Sequence, residues 1–460
     1  MKKGILLSLA FLFLLAVPFQ PANSKVSTVL APQAPGGKTI SDPIPIDTRL
    51  GLQYDPAVAY SSLHRQYLVV YRTGDDDIWG RFISADSGDP VGGNFPIYES
   101  NEYYAWNPDV AYDSTCDRFV VVWETSDLLL ISQEIQSIVV YGQHQSTGAQ
   151  IPAGASATDL SLNGASFSNP SIAANTDEGQ LMVVYELNTS IISRMLRVAS
   201  NGYEIDPYET DFTVRPTTLG IGDLDVAWGD GGVFLVVWDE FMGSGLNKII
   251  CRYLHDTYQS DGEQAVDSYT YDISNYLSMT VHKSPAVAYD SIFFRFAVVY
   301  SSLTDSISDL YQITGVFVDG YNYEEDPVLD NGHATIQPLV GFPNEDNYGP
   351  AVAYLGVKDM MQVVYSNTFT NIFDKEFEYV YGREFGYNGF SAFPLARFMV
   401  SPPPGLNEET PLPDAGIASS GDGRSLVVWT KKLIDSDWDV YGRLIGPYAV
   451  YLPAVYRNNP

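Results

Sequence analysis

Basic residues are scarce in this chain. It carries 25 Lys plus Arg against 56 Asp plus Glu over 460 residues, a formal net charge of −31. Such a surface repels nucleic-acid phosphate and anionic membranes, which excludes both as partners. Cysteine is nearly absent, and Cys116 and Cys251 cannot form a disulfide framework. Histidine is equally thin: His64, His144, His255, His282 and His333 form no His-x-x-x-His pair and no metal-like spacing with cysteine. There is no Gly-x-Ser-x-Gly elbow and no phosphate-cradling glycine loop ahead of a helix. The best match to a sialidase Asp-box, residues 175–182, lacks the aromatic and falls before the second strand of its unit rather than the last. A helical hydrophobic period is missing throughout. Beyond the N-terminus, no apolar run approaches the length of a membrane span.

What is present begins with a core. Hydrophobic residues make up 45%, too many for a disordered acidic chain. Aromatics make up 13%, with 32 Tyr. Met1-Lys2-Lys3, an apolar run over residues 5–17, and the small exit Ala22-Asn23-Ser24 have the three parts of a secretory signal peptide. The expected organisation is a signal peptide over 1–24, a flexible mature N-terminus over 25–39, one domain over 40–446 and a tail over 447–460. The expected location is secreted, extracellular or at the cell surface.

An internal repeat fills that domain. Pro56-Ala57-Val58-Ala59-Tyr60, Tyr67-Leu68-Val69-Val70-Tyr71 and Asp77-Ile78-Trp79-Gly80-Arg81 follow one another. The succession returns as Pro108-Asp109-Val110-Ala111-Tyr112, Phe119-Val120-Val121-Val122-Trp123 and Val140-Tyr141-Gly142-Gln143. Its alanine recurs as Ala59, Ala111, Ala173, Ala227, Ala288, Ala353 and Ala418, which counts seven units. Each unit is short, β-branched and aromatic, with Asp, Gly, Ser or Asn at its turns, so it reads as strands. The second strand is continuously apolar, as burial on both faces requires. Units of this length, stacked around an axis, make an all-β, seven-bladed β-propeller with three to four antiparallel strands per blade. A solenoid would need capping units; a closed ring needs none. Phe95-Pro96-Ile97 and Phe393-Pro394-Leu395 read as outer strands, where proline is tolerated. Blade 7 lacks such a segment, whereas Ile44-Pro45-Ile46 precedes blade 1. The N-terminal strand is therefore expected to complete blade 7 and close the ring.

The unit Pro-x-Val-Ala-Tyr, Leu-Val-Val-Trp, Asp-Ile-Tyr-Gly resembles a repeat of large secreted bacterial proteins of uncertain function. The ending Tyr451-Leu452-Pro453-Ala454-Val455-Tyr456-Arg457-Asn458 resembles a tail found on exported proteins of the Chloroflexota, with Ala454 in place of the usual Leu. The resemblance implies an exported protein and supplies no catalytic residues.

Two features suggest ligands. Asp435, Asp437 and Asp439 alternate just before a strand, and Asp75-Asp76-Asp77 occupies the equivalent place in blade 1. Alternating carboxylates can gather oxygen ligands for calcium; a solvated turn bonding its own backbone is the competing reading. Eleven of the 32 Tyr occupy repeat positions and belong to the core. Outside the repeat, Tyr103, Tyr104, Trp106, Tyr276 and Tyr348 crowd the connections leading into first strands. There they are candidates to stack on sugar rings or grip a protein.

The leading expectation is a monomeric, non-catalytic extracellular binding or scaffold protein. It would recognise glycan or a cell-surface partner through these aromatics. The alternative is a secreted glycosidase or lyase using axial carboxylates. A binder should show clustered aromatics on one face. An enzyme should show an axial pocket holding two or three acids, at least one with a raised pKa.

Overall fold

The computed structural model describes residues 39–446, apart from 130–131, 162–165, 208–210, 217, 244, 259–263, 267–269, 275–280, 306–309, 321–327, 329–333, 336–344, 357–359, 371–375, 388–391, 403–414 and 435–436. The described secondary structure consists of strands, gathered into seven antiparallel sheets. Blade 1 shows the plan: Gln53–Ser61, Gln66–Thr73, Ile78–Ser84 and Pro90–Tyr98 run from the innermost strand to the outermost. The other six blades repeat it. The fourth strand is split in two in blades 3, 4, 6 and 7.

The second strands are apolar because both of their faces meet a neighbouring sheet. The aromatic closing each one (Tyr71, Trp123, Tyr185, Trp238, Tyr300, Tyr365, Trp429) is fully or almost fully buried. The core divides into seven clusters, one at each blade–blade interface. At roughly 1.5–3 kcal/mol per buried Val, Leu or Ile, each interface is a substantial part of the ring's stability. The seventh cluster joins Val69 and Tyr71 of blade 1 to Leu426 and Val428 of blade 7, so the ring is closed.

Closure occurs as the sequence suggests. Ile44–Asp47 pairs with Asp437–Gly446, through Ile44 to Gly442, Pro45 to Tyr441 and Asp47 to Val440. Thr39–Ile40 continues the same pairing. Ile46 is completely buried against the blade 7–blade 1 cluster. Phe95 to Ile97 lies in the outer strand of blade 1, and Phe393-Pro394 in that of blade 6. Cys116, in blade 2, and Cys251, in blade 4, are not joined in a disulfide. Among the described residues, no helix is long and apolar enough to cross a membrane.

The innermost strands share one irregularity. In blades 1, 2, 3, 5 and 6 the register slips where a residue precedes proline. Asp55, Asn107, Asn169 and Ser284 have φ near +50°, and Gly349 has φ of 57°. A left-handed residue inserts a bulge, and short polar side chains or glycine tolerate that conformation best. Blade 4 slips at Gly222-Asp223, without the proline.

Candidate functional site

The bulges surround the axis. A cavity of about 360 Å³ is walled by Asp55, Asn107, Asn169 and Asp223 from blades 1 to 4, and it reaches Ala415 ahead of blade 7. A second cavity, of about 440 Å³, shares Asp223 and Ala415 and continues past Lys283, Ser284 and Tyr348 in blades 5 and 6. Together they form the mouth of the central channel. Its rim carries carboxylates, amides and a hydroxyl, because the corresponding positions of blades 1 to 5 are Asp55, Asn107, Asn169, Asp223 and Ser284.

Below the rim lie two inter-blade staples. Asp109 Oδ1 accepts the N–H of Val110 at 2.8 Å, and Oδ2 accepts the N–H of Ile172 in blade 3 at 2.9 Å. Asp225 Oδ1 accepts the N–H of Val226 at 2.8 Å and the hydroxyl of Ser171 at 3.0 Å. Its Oδ2 accepts the N–H of Val287 in blade 5 at 2.8 Å. Burial raises the pKa of Asp109. Burial, reinforced by the charge of Asp109, pushes Asp225 up to about 7, although three hydrogen bonds oppose the shift.

A further tier holds the bulges themselves. Glu124 accepts Asn107 Nδ2 at 3.3 Å and the backbone N–H of Asn169 in the next blade at 3.4 Å. Asp239 accepts the N–H of Asp223 at 2.8 Å, Asn247 Nδ2 at 3.0 Å and the N–H of Ser284 in the next blade at 3.4 Å. Burial, together with the charge of Asp223, raises Asp239 to about 6. At the rim, burial also raises Asp55, while Arg72 at 3.8 Å opposes that shift. Arg72 lies 4.7 Å from the Tyr54 ring and 5.6 Å from that of Trp106, so a cation–aromatic stack flanks the mouth.

The aromatics singled out from sequence occupy different ground from that expected. Tyr103, Tyr104 and Trp106 belong to the inner strand Tyr103–Asp113, not to a connection. That strand continues past its bulge and pairs Tyr103 with Asp127 and Trp106 with Glu124. Tyr103 is 39% exposed; Tyr104 and Trp106 are half-buried and stack at 6.4 Å. Tyr103 and Tyr104 wall a small cleft with Asp75, Asp77 and Leu128. Tyr348 likewise lies in a strand, Glu345–Tyr354, and its hydroxyl is engaged by Glu378 and by Thr368 at 3.0 Å. Tyr276 and Asp435 lie outside the described residues.

Asp437 Oδ1 accepts the backbone N–H of Gly51 at 3.1 Å, and Asp439 is buried with the Tyr441 hydroxyl 3.3 Å away. Burial, aided by the charge of Asp437, raises Asp439 to about 6. Among the described residues, no group of three His, Cys, Asp or Glu side chains is arranged to hold a metal ion.

Sequence reasoning allowed for axial carboxylates but named no residue for them, yet a signal for their identity existed. Asp109 and Asp225 stand where other units carry Ala57, Ala286 and Ala351. A charged residue replacing alanine at a core-strand position of a repeat marks a special environment.

No family model matches the chain, and no curated protein matches it. Solved structures do align, one of them a β-propeller domain. An ulvan lyase of a polysaccharide lyase family matches at TM-score 0.47 and 10% identity, over 88% of this chain and 96% of that one. A thermostable family-43 glycoside hydrolase matches at 0.39 and 13%, over 80% and 99%. The β-propeller domain of the Trilobed protease from Pyrococcus furiosus matches at 0.42 and 10%, over 90% and 100%. Likeness at this level assigns no substrate or chemistry to this chain.

Proposed function

We propose that this is an exported propeller that binds a neutral saccharide at its axial mouth. The observation that carries the reading is the rim, where Asp55, Asn107, Asn169 and Ser284 line the mouth from equivalent bulges and Asp223 joins them from blade 4. Carboxylate and amide side chains pair with vicinal hydroxyls, and the flanking aromatics suit the apolar face of a sugar ring. The carboxylates disfavour anionic glycans, as does the net charge of −31. The buried acids suit a rigid binding site: each oxygen of Asp109 and Asp225 already accepts a backbone N–H.

The test is a glycan array followed by calorimetry on the best neutral ligand. Asn107→Ala combined with Asn169→Ala should weaken binding at least about 10-fold, the loss expected when bidentate polar contacts go unmade. An array without neutral hits, or affinity unchanged in the double variant, contradicts the reading. Export is tested by sequencing the protein released to the medium, which should begin near Lys25.

A further inference from the structure

The rim of the mouth is uneven. In blade 1 the second strand, Gln66–Thr73, stops two residues after its closing aromatic, Tyr71. In blade 2 the equivalent strand, Arg118–Asp127, runs four residues past Trp123. The inner strands match. Gln53–Ser61 starts two residues before the bulge at Asp55, and Tyr103–Asp113 starts four before the bulge at Asn107. At about 3.3 Å per residue, the blade 2 hairpin stands roughly 7 Å above its neighbour. The upper part of its flank therefore overlooks blade 1.

That flank is aromatic. Residues two apart on a strand share a face, and the rings of Tyr104 and Trp106 stack at 6.4 Å and 28°. Trp106 meets Arg72 of blade 1, which also lies over Tyr54, and Tyr54 meets Trp438 of blade 7 edge-on at 5.6 Å. The Arg72 charge is balanced by Asp76 and by Asp55 at 3.8 Å. Four rings and one guanidinium thus form an unbroken row across blades 7, 1 and 2, and all five residues are partly exposed. Tyr54 and Trp106 directly precede Asp55 and Asn107, so the row borders the mouth. At its far end lies the cleft of about 340 Å³ that Tyr103 and Tyr104 share with Asp77 and Asn101. Asp77 Oδ1 accepts the Ser100 N–H at 3.1 Å, which fixes that carboxylate.

We propose that this cleft is an outer subsite, and that the ligand of the mouth is a neutral oligosaccharide chain rather than a single sugar. The inference rests on the mouth binding neutral saccharide. The chain leaves the mouth over the low rim of blade 1 and lays its outer rings on Tyr104 and Tyr103. Successive sugar rings present apolar faces with hydroxyls along their edges. A row of ring planes beside Asp77 and Asn101 offers a partner for each. Four residues of strand, about 13 Å, separate Asn107 at the mouth from Tyr103, which puts the cleft beyond one ring held at the mouth.

The probes are neutral gluco-, manno- and galacto-oligosaccharides, from disaccharide to hexasaccharide, titrated calorimetrically into the full chain. In a series that binds, the hexasaccharide should bind at least about 10-fold more tightly than the disaccharide. Tyr103→Ala and Tyr104→Ala should each weaken the hexasaccharide about 5-fold and leave the disaccharide within about 2-fold of the parent. Asn107→Ala, at the mouth, should weaken both. The length comparison uses the unaltered protein, so it stands even where a variant folds badly. Equal affinity for both lengths, or an equal loss for both in the tyrosine variants, overturns the outer subsite and leaves binding at the mouth standing. If no series binds at any length, the reading of the mouth falls and the subsite falls with it.

Discussion

Asp225 offers the sharpest physical test of the axial architecture. Its carboxyl sits near 7 in the folded ring, against 3.8 ordinarily, because burial and the charge of Asp109 disfavour ionisation. A carboxyl raised by folding holds its proton more tightly in the native state. The stability it contributes is therefore complete below about pH 3.8 and is lost as pH rises through about 7. Between about pH 5 and pH 8 the loss should approach 2–3 kcal/mol from this residue alone. Asp225→Asn removes that titration while keeping one acceptor oxygen, so it lowers stability modestly at about pH 5 and flattens the slope toward pH 8. Asp225→Ala leaves Val226 N–H, Val287 N–H and the Ser171 hydroxyl without this acceptor and should cost about 2–5 kcal/mol. Urea unfolding midpoints at the two pH values measure all three proteins. A parent and an Asn variant with identical slopes would refute the account of Asp225.

Other consequences are equally concrete. Ile46→Ala, at a fully buried position of the closing strand, should destabilise the ring by about 2–5 kcal/mol in chemical denaturation. Asp437→Ala should free the link at residues 49–52 and speed amide exchange at Gly51, whose N–H bonds to that carboxylate. Gly356→Ala should lower the thermal midpoint by several degrees. Its φ is +71° and a Cβ there would stand 2.0 Å from the Gly421 carbonyl oxygen. Calcium titrated into the full chain tests the alternating aspartates directly: if Asp437 and Asp439 act only as struts, no heat of binding appears at millimolar calcium.

Blade number, strand order and closure were legible because they rest on patterns that repeat. One Val-Val-Tyr means nothing, but seven in register with seven alanines force a stack of sheets. Closure followed from counting, since blade 7 lacked an outer strand and the N-terminus had one to spare. The mouth was not legible in the same way. The slip at Asp55-Pro56 depends on the sign of one φ angle, which Asp-Pro does not specify. Asp109 and Asp225 were visible as departures from alanine, but their meaning depends on N–H groups of Ile172 and Val287, more than 60 residues away. The tie between blades 1 and 7 depends on the Gly51 N–H meeting Asp437, which no local pattern predicts. Tyr103, Tyr104 and Trp106 were placed in a connection because strand pairing beyond a bulge leaves no mark in the repeat.

Crystals soaked with the tightest-binding neutral oligosaccharide test the central claim most directly. Ordered sugar density at the axial mouth, within hydrogen-bonding distance of Asn107, Asn169 and Asp223, is the predicted result. Sugar ordered only elsewhere on the ring, with the mouth empty of it at saturating concentration, would contradict the account.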